Sequence, residues 1–276
     1  MMTSFVKMHG LGNDFVVIDQ RKETKGTHRI SKDQIRLITD RRRGVGCDQV
    51  VFIYPARSSE ASARLRFFNA DGSESDACGN ASRCVASHLM TLSNNSEITL
   101  ETSNSILHAT LKPDNLVTID MGPPKLEWTD IPISEPCDTL HLPVLEGELR
   151  DPVGVSMGNP HCIFFVEDAE KVNLIEVGPK IENNVLFPAR TNVGVVSKLS
   201  ANNFRLRVWE RGVGITESCG TGACAAAVAT HRREIGGRKV MIEMDGGQLS
   251  IHWRKKDDHV LMTGSVETSF VGELKL

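Results

Sequence analysis

The sequence predicts an α+β fold of two homologous domains related by a pseudo-twofold axis, each a curved, mainly antiparallel sheet or barrel wrapped around a central helix. Three observations carry this prediction: a long internal repeat, a series of short β-rich runs in each copy, and an apolar helical segment after a Cys-Gly pair in both. The repeat is read directly. Arg64-Leu65-Arg66-Phe67-Phe68 recurs as Arg205-Leu206-Arg207-Val208-Trp209, and the same displacement carries Asn69 onto Glu210 and Cys78-Gly79 onto Cys219-Gly220. One residue out of that register, Leu100-Glu101 falls on Ile242-Glu243, Leu107 on Leu249 and Gly122 on Gly264. Upstream, Gly12-Asn13 before an apolar run echoes Gly158-Asn159. Their common order argues for duplication of a unit of about 140 residues, too long for a solenoid and suited to two similar domains.

The elements follow in order. In the first copy the β-rich runs are 15–18, 49–53, 64–68, 98–102 and 116–120; in the second they are 162–166, 193–196, 204–209, 240–244, 249–253 and 260–263. Arg64-Leu65-Arg66-Phe67 alternates polar and apolar, the pattern of a strand with one wet face. After the first Cys-Gly, Ala81, Cys84, Val85 and Leu89 fall at helical spacing; after the second, Ala223 to Ala229 is almost wholly small and apolar. A helix apolar all round is buried, and small side chains let a surrounding sheet approach closely. Between the copies lie Gly122-Pro123-Pro124 and 6 of the 11 prolines (residues 123–152), which read as a linker passing into an extended stretch.

Composition excludes several function classes. With 32 basic against 35 acidic residues the net charge is −3, so no basic field gathers nucleic acid or an anionic membrane. The only basic run, Arg41-Arg42-Arg43, reads as a solvated face. No stretch reaches the roughly 18 apolar residues of a spanning helix, and Lys7 and His9 interrupt what would be a leader's apolar region, so a cytosolic protein is expected. The cysteines at 47, 78, 84, 137, 162, 219 and 224 are odd in number and contain no C-x-x-C, so neither a disulfide framework nor a metal site is expected. Cys47, Cys84, Cys137, Cys162 and Cys224 read as packing residues.

Cys78 and Cys219 differ from the rest. Each stands where a polar, glycine-containing turn enters the buried helix. At a helix N-terminus the unused N–H groups and the dipole favour negative charge, which draws a thiol toward thiolate and lets the Gly79-Asn80 and Gly220-Thr221 amides hold a carboxylate. Two such groups on opposite sides of one carbon remove a proton from one face and deliver another to the other, which inverts a stereocentre. Thiols suit the task because their reference pKa of about 8.5 is tunable to leave one thiolate and one thiol near neutrality.

Gly12-Asn13-Asp14-Phe15, Phe68-Asn69-Ala70-Asp71-Gly72-Ser73-Glu74, Ala77-Cys78-Gly79-Asn80, Gly158-Asn159-Pro160-His161, Thr191-Asn192-Val193 and Trp209-Glu210-Arg211-Gly212 through Ser218-Cys219-Gly220-Thr221-Gly222 closely resemble the diaminopimelate epimerase family. The resemblance implies interconversion of LL- and meso-2,6-diaminopimelate on the lysine and cell-wall pathway, with no pyridoxal phosphate, other cofactor or metal. It implies that Cys78 and Cys219 are the acid/base pair and that His161 and Glu210 support the chemistry. Asn13, Gln49, Asn69, Gly79, Asn80, Asn159, Asn192, Glu210, Arg211, Gly220 and Thr221 would bind substrate, Arg211 taking the distal carboxylate with its fork of donors. It further implies a cytoplasmic homodimer. The domains would be residues 1–121 plus 265–276, carrying Cys78, and 122–264, carrying Cys219, with the active site in the cleft between them. Two other readings stay open: a proline or hydroxyproline racemase on the same fold, and a redox-responsive binding protein joined through Cys78 and Cys219. Gly154-Val155-Ser156-Met157-Gly158 matches a hydrolase nucleophile elbow, but a strand-like run rather than a helix follows it.

Overall fold

The protein is described by a computed structural model that covers residues 2–22, 30–75, 78–103 and 105–275. It divides into two compact units, Met1–Ile119 with Gly264–Leu276, and Asp120–Thr263.

The first unit runs β1 (Met2–Gly10), β2 (Asn13–Asp19), α1 (Lys32–Thr39), β3 (Gln49–Tyr54), β4 (Ala63–Asn69), β5 (Glu74–Ser75), α2 (Gly79–Ser93), β6 (Glu97–Glu101), β7 (Ile106–Leu111) and β8 (Val117–Asp120). Leu11 and Gly12 both take positive φ between β1 and β2, the two-residue turn that suits the right-handed twist of a hairpin. β2 and β3 are parallel, so the chain crosses between them through α1, whose start is closed by a Ser31/Gln34 capping box. Ile35 and Ile38 of α1 bury against Val16, Ile18, Val50 and Phe52. The alternate residues Phe15 and Val17 are buried on the opposite face, where α2 packs against β1, β2, β6 and β7. Val85, Leu89 and Met90 are among the α2 residues fully removed from water, each contributing about 1.5–3 kcal/mol of burial.

The second unit contains a small hairpin, β9 (Leu145–Glu146) with β10 (Leu149–Arg150), followed by β11 (Val153–Ser156), β12 (Pro160–Phe165), α3 (Leu174–Glu182), β13 (Asn192–Ser200), β14 (Asn203–Glu210), β15 (Gly214–Thr216), α4 (Gly220–Arg232), β16 (Lys239–Met244), β17 (Gly247–Trp253) and β18 (Val260–Gly264). Its pairings repeat those of the first unit. Antiparallel β1–β2 recurs as β11–β12, and parallel β2–β3 as β12–β13. The antiparallel series β3–β4–β5 recurs as β13–β14–β15. Parallel β4–β6 recurs as β14–β16, and antiparallel β6–β7–β8 as β16–β17–β18. The last strand, β19 (Glu267–Lys275), returns to the first unit and pairs antiparallel with β1. The α+β class and the helix wrapped by sheet, read from the sequence, are both present.

Three features depart from the sequence reading. Residues 123–152 are not a free linker: Ile131, Ile133, Leu142 and Val144 are buried in the second unit's core with Phe164, Val193 and Val195. Arg232 of α4 fixes this stretch by donating to Thr139 Oγ1 at 3.0 Å and to Gly154 O at 3.1 Å. Proline supplies stiff, turn-rich chain here without demanding ladder partners, so its density marked irregular structure rather than exposure. The short helices α1 and α3 and the strands β1, β7 and β11 also went unread. No described helix is long and apolar enough to cross a membrane.

Candidate active site

In the first unit the β1–β2 turn delivers Asn13 to the start of β2. Its Nδ2 donates to Asp48 Oδ2 at 2.8 Å, which leaves Oδ1 to face two other groups. The Cys78 sulfur lies 3.9 Å from that oxygen, and Asn80 Nδ2 donates to it at 3.4 Å. Cys78 is the N-cap of α2, in extended backbone, and Gly79 and Asn80 form the first turn, whose amides lie outside the helical ladder. Asn80 is in turn fixed by Arg83, fully buried, which donates to its Oδ1 at 3.0 Å. Gln49 opens β3 and stands opposite Asn69 in the β3–β4 register; Gln49 Nε2 donates to Asn69 Oδ1 at 2.8 Å, and Asn69 Nδ2 to Ser73 Oγ at 3.0 Å.

The second unit repeats the plan with different chemistry. The β11–β12 turn passes Gly158 at φ +93° and delivers Asn159, whose Nδ2 donates to Thr221 Oγ1 at 3.3 Å. Cys219 is the N-cap of α4; its sulfur accepts from Gly222 N at 3.4 Å and stands 3.6 Å from Thr221 Oγ1. Gly220 and Thr221 make the first turn. His161 occupies the strand position that Phe15 holds in the first unit, each lying beside the start of the parallel neighbour, Asn192 and Gln49 respectively. It is fully buried, and burial, with the Arg211 charge second, pushes it down to about 3. The ring is therefore neutral: Nε2 donates to Asn159 Oδ1 at 3.1 Å, while Nδ1 has no hydrogen-bond partner among the described residues.

Glu210 ends β14 and accepts from Thr216 Oγ1 at 2.5 Å. Burial raises the Cys219 thiol well above its ordinary value, and the Glu210 carboxylate beside it raises it further. This reverses the expectation that a helix start draws its cysteine toward thiolate. A dipole contributes about 0.3–1 kcal/mol at an exposed helix end, whereas full burial of a charge costs several times that. Cys219 therefore holds its proton. Arg211 is set by its backbone, N to Asn192 Oδ1 at 3.0 Å, and its guanidinium donates to Ala189 O at 2.9 Å; Asn192 Nδ2 donates to Pro160 O at 2.8 Å.

Several bracing residues escaped the sequence reading. Arg41, read as part of a solvated face, grips Asp14 at 2.8 and 2.9 Å and Asp48 at 2.8 Å, and Lys7 reaches Asp14 at 2.6 Å. Those contacts hold Asp14's carboxyl down to about 2 against the opposing effect of burial. In the second unit, buried Glu182 accepts from Trp209 Nε1 at 2.7 Å, Gly212 N at 2.9 Å and Arg190 at 3.0 Å, clamping both flanks of Glu210-Arg211. The one available signal for Asp48 was its place next to Gln49. Cys47, Cys84, Cys162 and Cys224 are buried and Cys137 half-buried; burial pushes Cys47 and Cys84 up to about 12, so they are inert. Gly154–Gly158 lies on β11 and its turn into β12, a hairpin and not a strand-to-helix elbow. Among the described residues no group of three or more His, Cys, Asp or Glu could hold a metal ion.

A family model described as diaminopimelate epimerase matches residues 5–127 and 153–269. The diaminopimelate epimerase of Rhodospirillum centenum is 50% identical over 274 residues, covering 99% of this chain and 93% of that one. That of Acidiphilium cryptum is 49% identical over 270 residues, covering 98% and 95%. Among solved structures, a hydroxyproline epimerase from Agrobacterium vitis superposes with a TM-score of 0.68 at 17% identity, covering 100% of this chain and 93% of that one. A methylitaconate-delta-isomerase superposes at 0.67 and 13%, covering 99% and 95%. At such identities these two report the fold alone.

Proposed function

The chain belongs to the diaminopimelate epimerase family and interconverts LL- and meso-2,6-diaminopimelate, and we propose that Cys78 and Cys219 are the acid/base pair that does so, without pyridoxal phosphate. The observation that carries this reading is the recurrence, in both units, of a cysteine capping a buried helix beside an asparagine from a neighbouring turn. The two thiols serve one α-carbon from opposite faces. Cys219 starts protonated, because burial and Glu210 disfavour its thiolate. In the direction that begins from this state, the Cys78 thiolate takes the α-proton. The electron pair left on carbon then takes the Cys219 proton from the other face, ending with Cys78 as thiol and Cys219 as thiolate. The reverse direction exchanges the roles.

The α-proton is a very weak acid, so the site must stabilise the carbanion. The first-turn amides at Gly79-Asn80 and Gly220-Thr221 hold the reacting carboxylate, where preorganised donors act on the developing charge. Neutral His161, through Asn159, and Glu210 keep the surroundings of Cys219 fixed. Asn13, Gln49, Asn69, Asn159, Asn192 and Arg211 line the substrate, Arg211 taking the distal carboxylate. The same reading carries a cytoplasmic homodimer, which light scattering checks, on the route to lysine and peptidoglycan precursors.

The test is exchange in D2O. LL-diaminopimelate gains deuterium at one α-carbon, proline gains none, and Cys78→Ala and Cys219→Ala each abolish epimerisation. Full epimerisation by either variant overturns the acid/base assignment.

A further inference from the structure

The two asparagines that accompany the cysteines present opposite ends of their amides, Asn13 its oxygen to Cys78 and Asn159 its NH2 to Thr221, the neighbour of Cys219. Asn159 has its oxygen taken by His161 Nε2–H and offers Nδ2 to Thr221 beside Cys219. Asn13 has its NH2 taken by Asp48 and offers Oδ1 to Cys78 and Asn80. A carboxylate only accepts, so Asp48 selects the donor end of Asn13 and leaves the acceptor end for the sulfur. We propose that Asp48 is a positioning residue for the reaction: it fixes the Asn13 amide with the oxygen toward Cys78.

Asp48 is itself held from three sides. Its Oδ1 accepts from Arg41 at 2.8 Å, its Oδ2 accepts from the Asp14 backbone N–H at 3.1 Å, and its own N–H donates to Asp14 Oδ1 at 2.8 Å. Asp14 is gripped by Arg41 and Lys7, and Lys7 also donates to Gly46 O in the approach to β3. These contacts tie β1, the start of β2, the end of α1 and the approach to β3 to one carboxylate pair. Each partner fills a specific lone pair, so the Asn13 amide has one orientation that leaves every donor matched. The charged groups around the Asn13–Cys78 contact are thus Asp48, Asp14, Arg41 and Lys7, with Arg83 reaching it through Asn80.

The consequence for chemistry is local. An acceptor oxygen beside sulfur favours the S–H form and so keeps the Cys78 thiolate a stronger base toward the α-proton, whereas a donor N–H favours the thiolate and weakens it as a base. Asp48 therefore sets how readily Cys78 gives up its proton, at the cost of no direct contact with it. The inference rests on the reading of Cys78 as one of the acid/base pair.

Asp48→Asn tests it with almost no change of shape. With its oxygen on the Arg41 guanidinium the new amide turns its NH2 toward both Asn13 and the Asp14 N–H, so Asn13 turns over and presents Nδ2 to Cys78 while the Asp14 N–H loses its acceptor on residue 48. Two readouts follow. The rate of Cys78 alkylation by iodoacetamide against pH, measured in a Cys219→Ser background, moves to lower pH by about one unit, the size of one net hydrogen bond. On the otherwise native chain, kcat falls roughly 10–100-fold, as for a misplaced catalytic group, with a smaller change in KM. Asp48→Glu retains an acceptor and keeps the alkylation curve at its native pH. An Asp48→Asn curve that overlays the native one overturns the inference even if activity falls, since a purely structural role predicts that outcome. If Asp48→Asn does not fold, Asp48→Ala removes the acceptor that selects the NH2 end of Asn13; its curve must move in the same direction. Cys78→Ala that still epimerises sinks the parent reading instead, and the two failures are distinguishable.

Discussion

His161 stands where the first unit has Phe15, and the exchange of a hydrocarbon ring for an imidazole has a thermodynamic cost. In the folded chain the ring is held neutral down to about 3, chiefly by burial, whereas an unfolded histidine titrates near 6.5. Between those values the unfolded chain binds a proton that the folded chain refuses. Stability from this group is therefore complete above about pH 6.5 and is lost as pH falls, with a limiting slope of about 1.4 kcal/mol per pH unit. Asp14, held at about 2, contributes in the same direction only below the ordinary carboxylate range, nearer pH 4 to 2. His161→Phe, which copies Phe15, is expected to fold, to lose epimerase activity and to flatten urea-measured stability between pH 6 and 4. An equally steep acid loss in the variant would show that His161 is not its source. The motif containing His161 was legible in the sequence, as were both cysteines and their glycines. Its neutrality was not, because it depends on burial by strands separated along the chain.

At the scale of elements, α2 and α4 differ in how they fill their sheets. α2 brings Leu89, Met90 and the buried Arg83; α4 brings a run of alanines with Val228, small side chains that let strands approach closely. That distinction was readable, because the period and size of apolar residues report burial directly. The strands with clean alternation, β4 and β14, were readable for the same reason. β1 was not, since Lys7 and His9 break its apolar pattern, and Lys7 turns out to be buried by its ion pair with Asp14. α3 was hidden by Pro179 in its interior, although the helix packs on β13, β14 and β15. One of its residues gives a test. A Cβ on Gly178 would lie 2.6 Å from the Trp209 ring, which Glu182 holds next to Glu210. Gly178→Ala is expected to cost about 1–3 kcal/mol of stability by overpacking, and to lower kcat by shifting Glu210. Native melting and native kcat together would mean that Trp209 moves without consequence for the site.

For the whole molecule, each unit supplies one cysteine, so the proposed reaction needs both halves of the duplication. If the two thiols serve one carbon, as proposed, they are also able to meet. Mild oxidation is expected to join Cys78 and Cys219 with loss of two hydrogens, to abolish epimerisation, and to be reversed by dithiothreitol; Cys78→Ala protein should show no such mass change. Full activity after peroxide would contradict a shared site. The duplication, the pairing of each Cys-Gly with a buried helix, and the family were legible along the chain, since these reside in local pattern and order. Folding in three dimensions sets the rest: Cys219 keeps its proton, Asn13 turns its oxygen to Cys78, and Asn159 turns its NH2 to Thr221. Burial, the Glu210 carboxylate, Asp48 and His161 set those outcomes, and each acts through space from a separate strand or turn, where linear spacing carries no information about charge or hydrogen-bond direction.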